Sequence, residues 1–148
     1  MIETIELPEL VLIGILVECP WQELSREVPA AWRRLFEAET GAQAFLEASL
    51  SVENGVYREL VGYLAARRTD VPEGMIKIAL PAGRYLRLIH DGPLAGIADG
   101  FGELLGHARM AGLKATDLKL DFGYLPGLPD GRHELHVGLA AQPLRLSG

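Results

Sequence analysis

Residues 2–7 set apolar Ile2, Ile5 and Leu7 among polar Glu3, Thr4 and Glu6, an alternating stretch that Pro8 interrupts. The run Leu10-Val11-Leu12-Ile13-Gly14-Ile15-Leu16-Val17 is continuous and β-rich, the pattern of a strand covered on both faces. Cys19-Pro20-Trp21 turns the chain, and Val28, Trp32, Leu35 and Phe36 then recur at helical spacing, with Arg33, Arg34 and Glu37 outward. Proline is best tolerated in a first helical turn, so Pro29 predicts a helix start near Glu27 or Val28, with Ser25 as its cap and Gly41 as its stop. Residues 44–52 and 55–66 read as a hairpin about Asn54-Gly55, the strongest short turn signal in the chain.

After a polar connector from Thr69 to Gly74 the pattern begins again. Ile5-Glu6-Leu7-Pro8 lies beside Ile78-Ala79-Leu80-Pro81, and the match runs without a gap to Pro20 and Pro93. The second copy predicts a strand over 84–90 and a helix with Ile97, Phe101, Leu104, Leu105 and Ala108 as its apolar stripe, ending at Gly112. Strands near 117–125 and 131–141 complete it, the last delivered by the turn-rich Pro126–Gly131. Self-similarity on this scale predicts an α+β fold. It has two tandem pseudo-symmetric ββαββ halves, residues 1–68 and 75–142 of a single domain 1–148, each with antiparallel strands and one long helix. One helix cannot cover such a sheet, so the halves are expected to pair about a pseudo-twofold axis, with a ligand cleft between them.

A chain of 148 residues, 49% of them hydrophobic, can bury a substantial core. Its net charge of −6, without a basic cluster beyond Arg33-Arg34 and Arg67-Arg68, argues against a nucleic-acid partner. The single cysteine, Cys19, allows neither an internal disulfide nor a cysteine-based zinc site, and reads as a small core residue. The four histidines lack ligand spacing, so no metal and no cofactor is expected. There is neither a signal-peptide start nor an apolar run long enough to span a membrane, which predicts a cytoplasmic protein without a membrane partner.

Candidate chemistry gathers in the final strand. Along Gly131–Leu139, Leu135, Val137 and Leu139 share one face, and Glu134 and His136 the other. Setting Arg58-Glu59-Leu60 opposite His133-Glu134-Leu135, at an offset of about 75, makes Glu59 and Glu134 pseudo-symmetry mates. Tyr57, Val61 and Tyr63 share the face of Glu59. Glu134 then either lies on a solvated face or floors the cleft. In the second case a carboxylate among apolar walls takes a proton or waits for a cation. Glu59 either joins it or pairs with Arg58 or Arg67.

The chain resembles the GyrI-like family of small-molecule effector-binding domains, found alone or fused to AraC- and MerR-type regulators. The residues that carry the resemblance are Val17-Glu18-Cys19-Pro20-Trp21, Tyr57-Arg58-Glu59, Val71-Pro72-Glu73-Gly74-Met75, Leu80-Pro81-Ala82-Gly83-Arg84-Tyr85 and Glu134-Leu135-His136-Val137. The resemblance implies a cleft with an acidic floor, here Glu134, and aromatic walls drawn from Trp21, Tyr57, Tyr63, Tyr85 and Tyr124, with Glu59 and His136 nearby. Trp32, on the apolar stripe of its helix, reads as core. The ring-free Asp91–Gly96 departs from drug-binding members. With no helix-turn-helix segment before the domain, a stand-alone version is expected.

Three functions follow. The first is binding of amphipathic cationic or aromatic small molecules, for sensing or sequestration. The second is hydrolysis of strained cyclopropane rings in DNA-alkylating natural products, with Glu134 and Tyr124 (or Tyr57 or His136) as the catalytic groups. The third is a protein–protein role with DNA gyrase or a regulator, for which the mild and dispersed acidity offers little.

Overall fold

Two strands separated by Pro8 or by Pro81, then a helix, then a hairpin: this order occurs twice in the computed structural model, which describes residues 1–141. Residue 142, the last of the predicted second repeat, lies outside them. The first pass comprises β1 (Ile2–Leu7), β2 (Leu10–Pro20), α1 (Trp21–Glu37), β3 (Phe45–Glu53) and β4 (Val56–Ala65). The second comprises β5 (Ile76–Leu80), β6 (Gly83–Gly92), a 3₁₀ turn (Leu94–Gly96), α2 (Ile97–Met110), β7 (Ala115–Tyr124) and β8 (Gly131–Leu139). Asn54 and Gly55 have φ of 52° and 77°, the paired positive values that a two-residue type I′ turn requires.

All eight strands join one antiparallel sheet in the order β1-β6-β8-β7-β3-β4-β2-β5. The halves therefore exchange their first strands: β1 pairs with β6 of the second half, and β5 with β2 of the first. Chain connectivity then bends the sheet. β1 and β2 stand near opposite ends of the ladder, yet only Pro8 and Glu9 join them, a link of at most about 11 Å. Pro81 and Ala82 impose the same closure on β5 and β6. The ladder curls until its ends meet, and its helix-free face becomes an enclosed core of Leu12, Leu46, Ala48, Leu60, Leu80, Tyr85 and Leu120 from both halves.

Both helices lie on the other face. α1 buries Ala31, Trp32 and Leu35 against Ile13, Ile15, Val17, Val61 and Tyr63. α2 buries Leu104 and Ala108 against Leu86, Leu135 and Val137. α2 lies so close that a Cβ at Gly100 would sit 2.6 Å from a methyl of Leu135.

α1 corrects one expectation. It starts at Trp21, not near Val28, carries Pro29 in its interior, and has no side-chain cap at Pro20. An interior proline costs about 3 kcal/mol, whereas burying Trp32 and Leu35 returns roughly 1.5–3 kcal/mol each, so tertiary packing overrides the local preference. The helix ends at Glu37, short of Gly41, whose φ of 74° turns the following loop. Neither helix is long and apolar enough to cross a membrane.

Candidate functional site

The pseudo-twofold axis passes between β3 and β7, where Glu47 and Asp121 are direct partners. Ladder register identifies the other mates. Val17 pairs with Glu59, and His90, which stands 73 residues after Val17, pairs with His133. The mate of Glu59 is thus His133 and not Glu134, because β8 is offset by 74 residues where the sequence reading took about 75. A slip of one residue turns a strand side chain to the opposite face.

Glu134 accordingly points away from both helices. It stands beside Phe122 and Ile89 on the enclosed-core face, one-third exposed, with Arg132 at 3.5 Å. His136 shares that face, buried with Tyr85 and Phe122 edge-on to its ring. Burial lowers its pKa, against the pull of Glu134, and its Nδ1 has no partner among the described residues. Tyr85 belongs to the same core. Tyr63 is buried beneath α1 against Phe45. Glu134 and Tyr124 lie on opposite faces, so the predicted catalytic pair is not assembled.

What the helix face does gather at the axis is a cleft. One lobe, about 290 Å³, lies between α2 (Ile97, Ala98, Phe101) and the strand residues Lys119, Asp121 and Tyr124. The other, about 440 Å³, lies under the first turns of α1, beside Trp21, Leu24, Ser25, Val28 and Pro29. Glu47 and Glu59 line both lobes and form their junction. Trp21 is 67% exposed at the rim, its ring 5.5 Å from that of Tyr57. Because Pro29 has no N–H, the Ser25 carbonyl four residues back lacks its helical donor, and both residues line this lobe.

The second half satisfies its acid. Tyr124 donates to Asp121 Oδ2 at 2.6 Å, and His133 Nδ1, as the protonated nitrogen, donates to Oδ1 at 2.7 Å. Burial raises the pKa of Asp121, and these two bonds pull it back. Burial, with Glu47 and Asp121 close by, lifts the Tyr124 phenol well above its ordinary range, so it remains a donor. The first half does not satisfy its acids in this way. Glu47 accepts from Trp32 Nε1 at 2.8 Å, with the Tyr124 hydroxyl close by but directed at Asp121, and burial pushes its pKa up to about 7. Glu59 accepts from Ser49 Oγ at 2.9 Å and is also raised by burial, with that bond and then the Lys119 charge opposing the rise. Neither glutamate belongs to an ion pair among the described residues. No group of three or more His, Cys, Asp or Glu among those residues is arranged to hold a metal ion.

Trp32 belongs to the core: it is buried, it stacks on Tyr124 at 4.7 Å, and its indole N–H donates to Glu47. Glu47 and Asp121 escaped the sequence reading. The available signal was that Leu135 and Val137 answer Val61 and Tyr63, which aligns β8 with β4 one residue differently.

Residues 3–123 match the family described as Cass2, integron-associated effector-binding protein. No curated protein matches the chain. Among solved structures, SAV2435 bound to tetraphenylphosphonium is similar at 13% identity and a TM-score of 0.74, over 95% of this chain and 94% of that one. The Vibrio cholerae integron cassette protein VCH_CASS2 is similar at 9% identity and 0.70, over 94% and 95%. A hydrolase from Listeria innocua is similar at 13% and 0.60, over 94% and 91%. At such identities the likeness is one of fold.

Proposed function

The chain belongs to the integron-associated effector-binding protein family, and we propose that its effector is an amphipathic aromatic cation held in the interhelical cleft. One observation carries the reading: Glu47 and Glu59 stand partly buried at the junction of the two lobes without an ion-pair partner among the described residues. A desolvated carboxylate is costly, and a ligand cation relieves that cost while its ring lies against Trp21 and Tyr57. The Ser25 carbonyl offers a further acceptor. The tetraphenylphosphonium held by SAV2435, a protein of the same fold, supports a cationic ligand class.

Calorimetry with 1-naphthylmethylammonium and its neutral analogue 1-naphthylmethanol tests the proposal. The cation is expected to bind about 10-fold more tightly or better, and Glu47→Gln with Glu59→Gln to abolish the difference, which corresponds to about 1.4 kcal/mol. Equal affinities for the two probes in the parent protein would refute a cation site.

A second reading has its own observation. An acid with a pKa near 7 in a cleft is poised to donate a proton at neutral pH, and Glu47 has that value beside Tyr124. In hydrolytic opening of an activated cyclopropane, Glu59 would take a proton from water as the hydroxide bonds to a ring carbon. Glu47 would then protonate the enolate oxygen released as the strained C–C bond breaks. The hydrolase from Listeria innocua shares the fold. Mass spectrometry after incubation with such a substrate decides the matter: gain of one water supports hydrolysis, and unchanged substrate leaves binding as the function.

A further inference from the structure

Among the described residues, Lys119 is the one cationic side chain lining the two lobes of the cleft. It is partly buried, yet it takes part in no ion pair among the described residues although three carboxylates line the same lobe. Its Nζ donates only a long bond, 3.5 Å, to the Asp117 carbonyl. A lysine stem costs up to about 2 kcal/mol of rotamer freedom to hold in place, and nothing here recovers it. The ammonium is therefore available to a ligand.

Its position is set by register. Lys119 faces Ser49 from β7, and Glu59 faces Ser49 from β4, so the two charges stand two strands apart, roughly 10 Å at the backbone. Glu47 lies diagonally from Lys119 across the same strand pair, about 7–8 Å away. Between them the α2 lobe offers Ile97, Ala98 and Phe101, an apolar wall for a flat body. From this arrangement we propose that the cleft recognises amphoteric aromatic ligands: a cationic amine at the glutamate junction, and an anionic group on Lys119 in the α2 lobe. The inference rests on the cation-site reading and narrows it. A simple cation entering the cleft meets the repulsion of Lys119, whereas a ligand with both charges turns that repulsion into an ion pair.

The test uses 6-(aminomethyl)-2-naphthoate, which carries both charges, and its methyl ester, which keeps the shape and the amine alone. The acid is expected to bind the parent protein about 10-fold more tightly than the ester, a gap of about 1.4 kcal/mol. Lys119→Met should erase that preference, weakening the acid while leaving the ester unchanged or better bound. Lys119→Arg, which keeps the charge, should retain the preference, and its thermal melt beside that of Lys119→Met reports folding. If Glu47→Gln weakens the ester but the parent holds acid and ester equally, the amphoteric proposal falls and the cation site stands. The proposal falls likewise if Lys119→Met leaves the preference intact. Binding of neither probe would overturn both readings.

Discussion

At mated positions the two halves of the sheet treat an acid in opposite ways. Asp121 of the second half is enclosed, and its two oxygens are bonded to Tyr124 and His133. Its mate Glu47 accepts from the Trp32 indole, the Tyr124 hydroxyl beside it being given to Asp121, and where the second half has His133 the first has Glu59, another acid. One difference between the repeats, histidine against glutamate, separates a satisfied structural network from a cleft whose two glutamates have no ion-pair partner among the described residues. A duplicated fold can keep one copy of a polar pair for stability and release the other for binding, because a buried acid left unpaired costs more than one whose oxygens are hydrogen-bonded.

Removing the pairing should cost most. His133→Ala leaves Asp121 buried with one partner lost, and urea denaturation is expected to show about 3 kcal/mol of destabilisation or more. A loss below about 1 kcal/mol would mean that the second half is not held by this network.

Making the halves alike should abolish binding next. Glu59→His gives the first half the residue of its mate and supplies a donor for Glu47. Affinity for 1-naphthylmethylammonium should fall by about 100-fold, some 2.7 kcal/mol, with 1-naphthylmethanol little changed. An unaltered cation affinity would remove Glu59 from the site.

The halves should also differ in their response to pH. Glu47 has a folded-state pKa of about 7 against 4.5 for the free side chain. Between those values the native state keeps a proton that the unfolded state has lost, so the stability it contributes, full below about 4.5, drains away as pH rises to about 7. Glu47→Gln should flatten that part of the stability curve. A cation at Glu47 should release a proton on binding, and bind more tightly as pH rises towards 7, levelling off above. Calorimetry in two buffers of different ionisation enthalpy counts the protons, and a count of zero at pH 6 would contradict the assignment.

Glu134→Gln should do least. The pair with Arg132 spans 3.5 Å at a well-exposed position, and such pairs contribute about 0–1 kcal/mol. Cation affinity should stay within about twofold of the parent. A loss comparable to that from Glu59→Gln would return Glu134 to the ligand site and overturn the register argument.

Much of this molecule could be read from residue order alone. Helical spacing in Val28–Phe36 and Ile97–Ala108, the Asn54-Gly55 turn and the repeated Leu-Pro breaks are local signals, and local sterics and burial preferences decide them. The duplication and the resemblance to effector-binding domains survive because they depend on order and spacing over the whole chain. Tertiary structure decided the rest. Pro29 sits mid-helix because packing of Trp32 and Leu35 outweighs a local penalty. β1 and β5 change halves because an enclosed core on the helix-free face buries Leu12, Leu46, Leu60 and Leu120 together. Which acids face the cleft depended on a single residue of register in β8, where side chains alternate faces and hydrogen-bonded neighbours, not sequence likeness, determine which face is buried. Arg58-Glu59-Leu60 and His133-Glu134-Leu135 look alike as strings, yet the ladder pairs Glu59 with Val17 and His133 with His90, and that pairing put the open acids at Glu47 and Glu59.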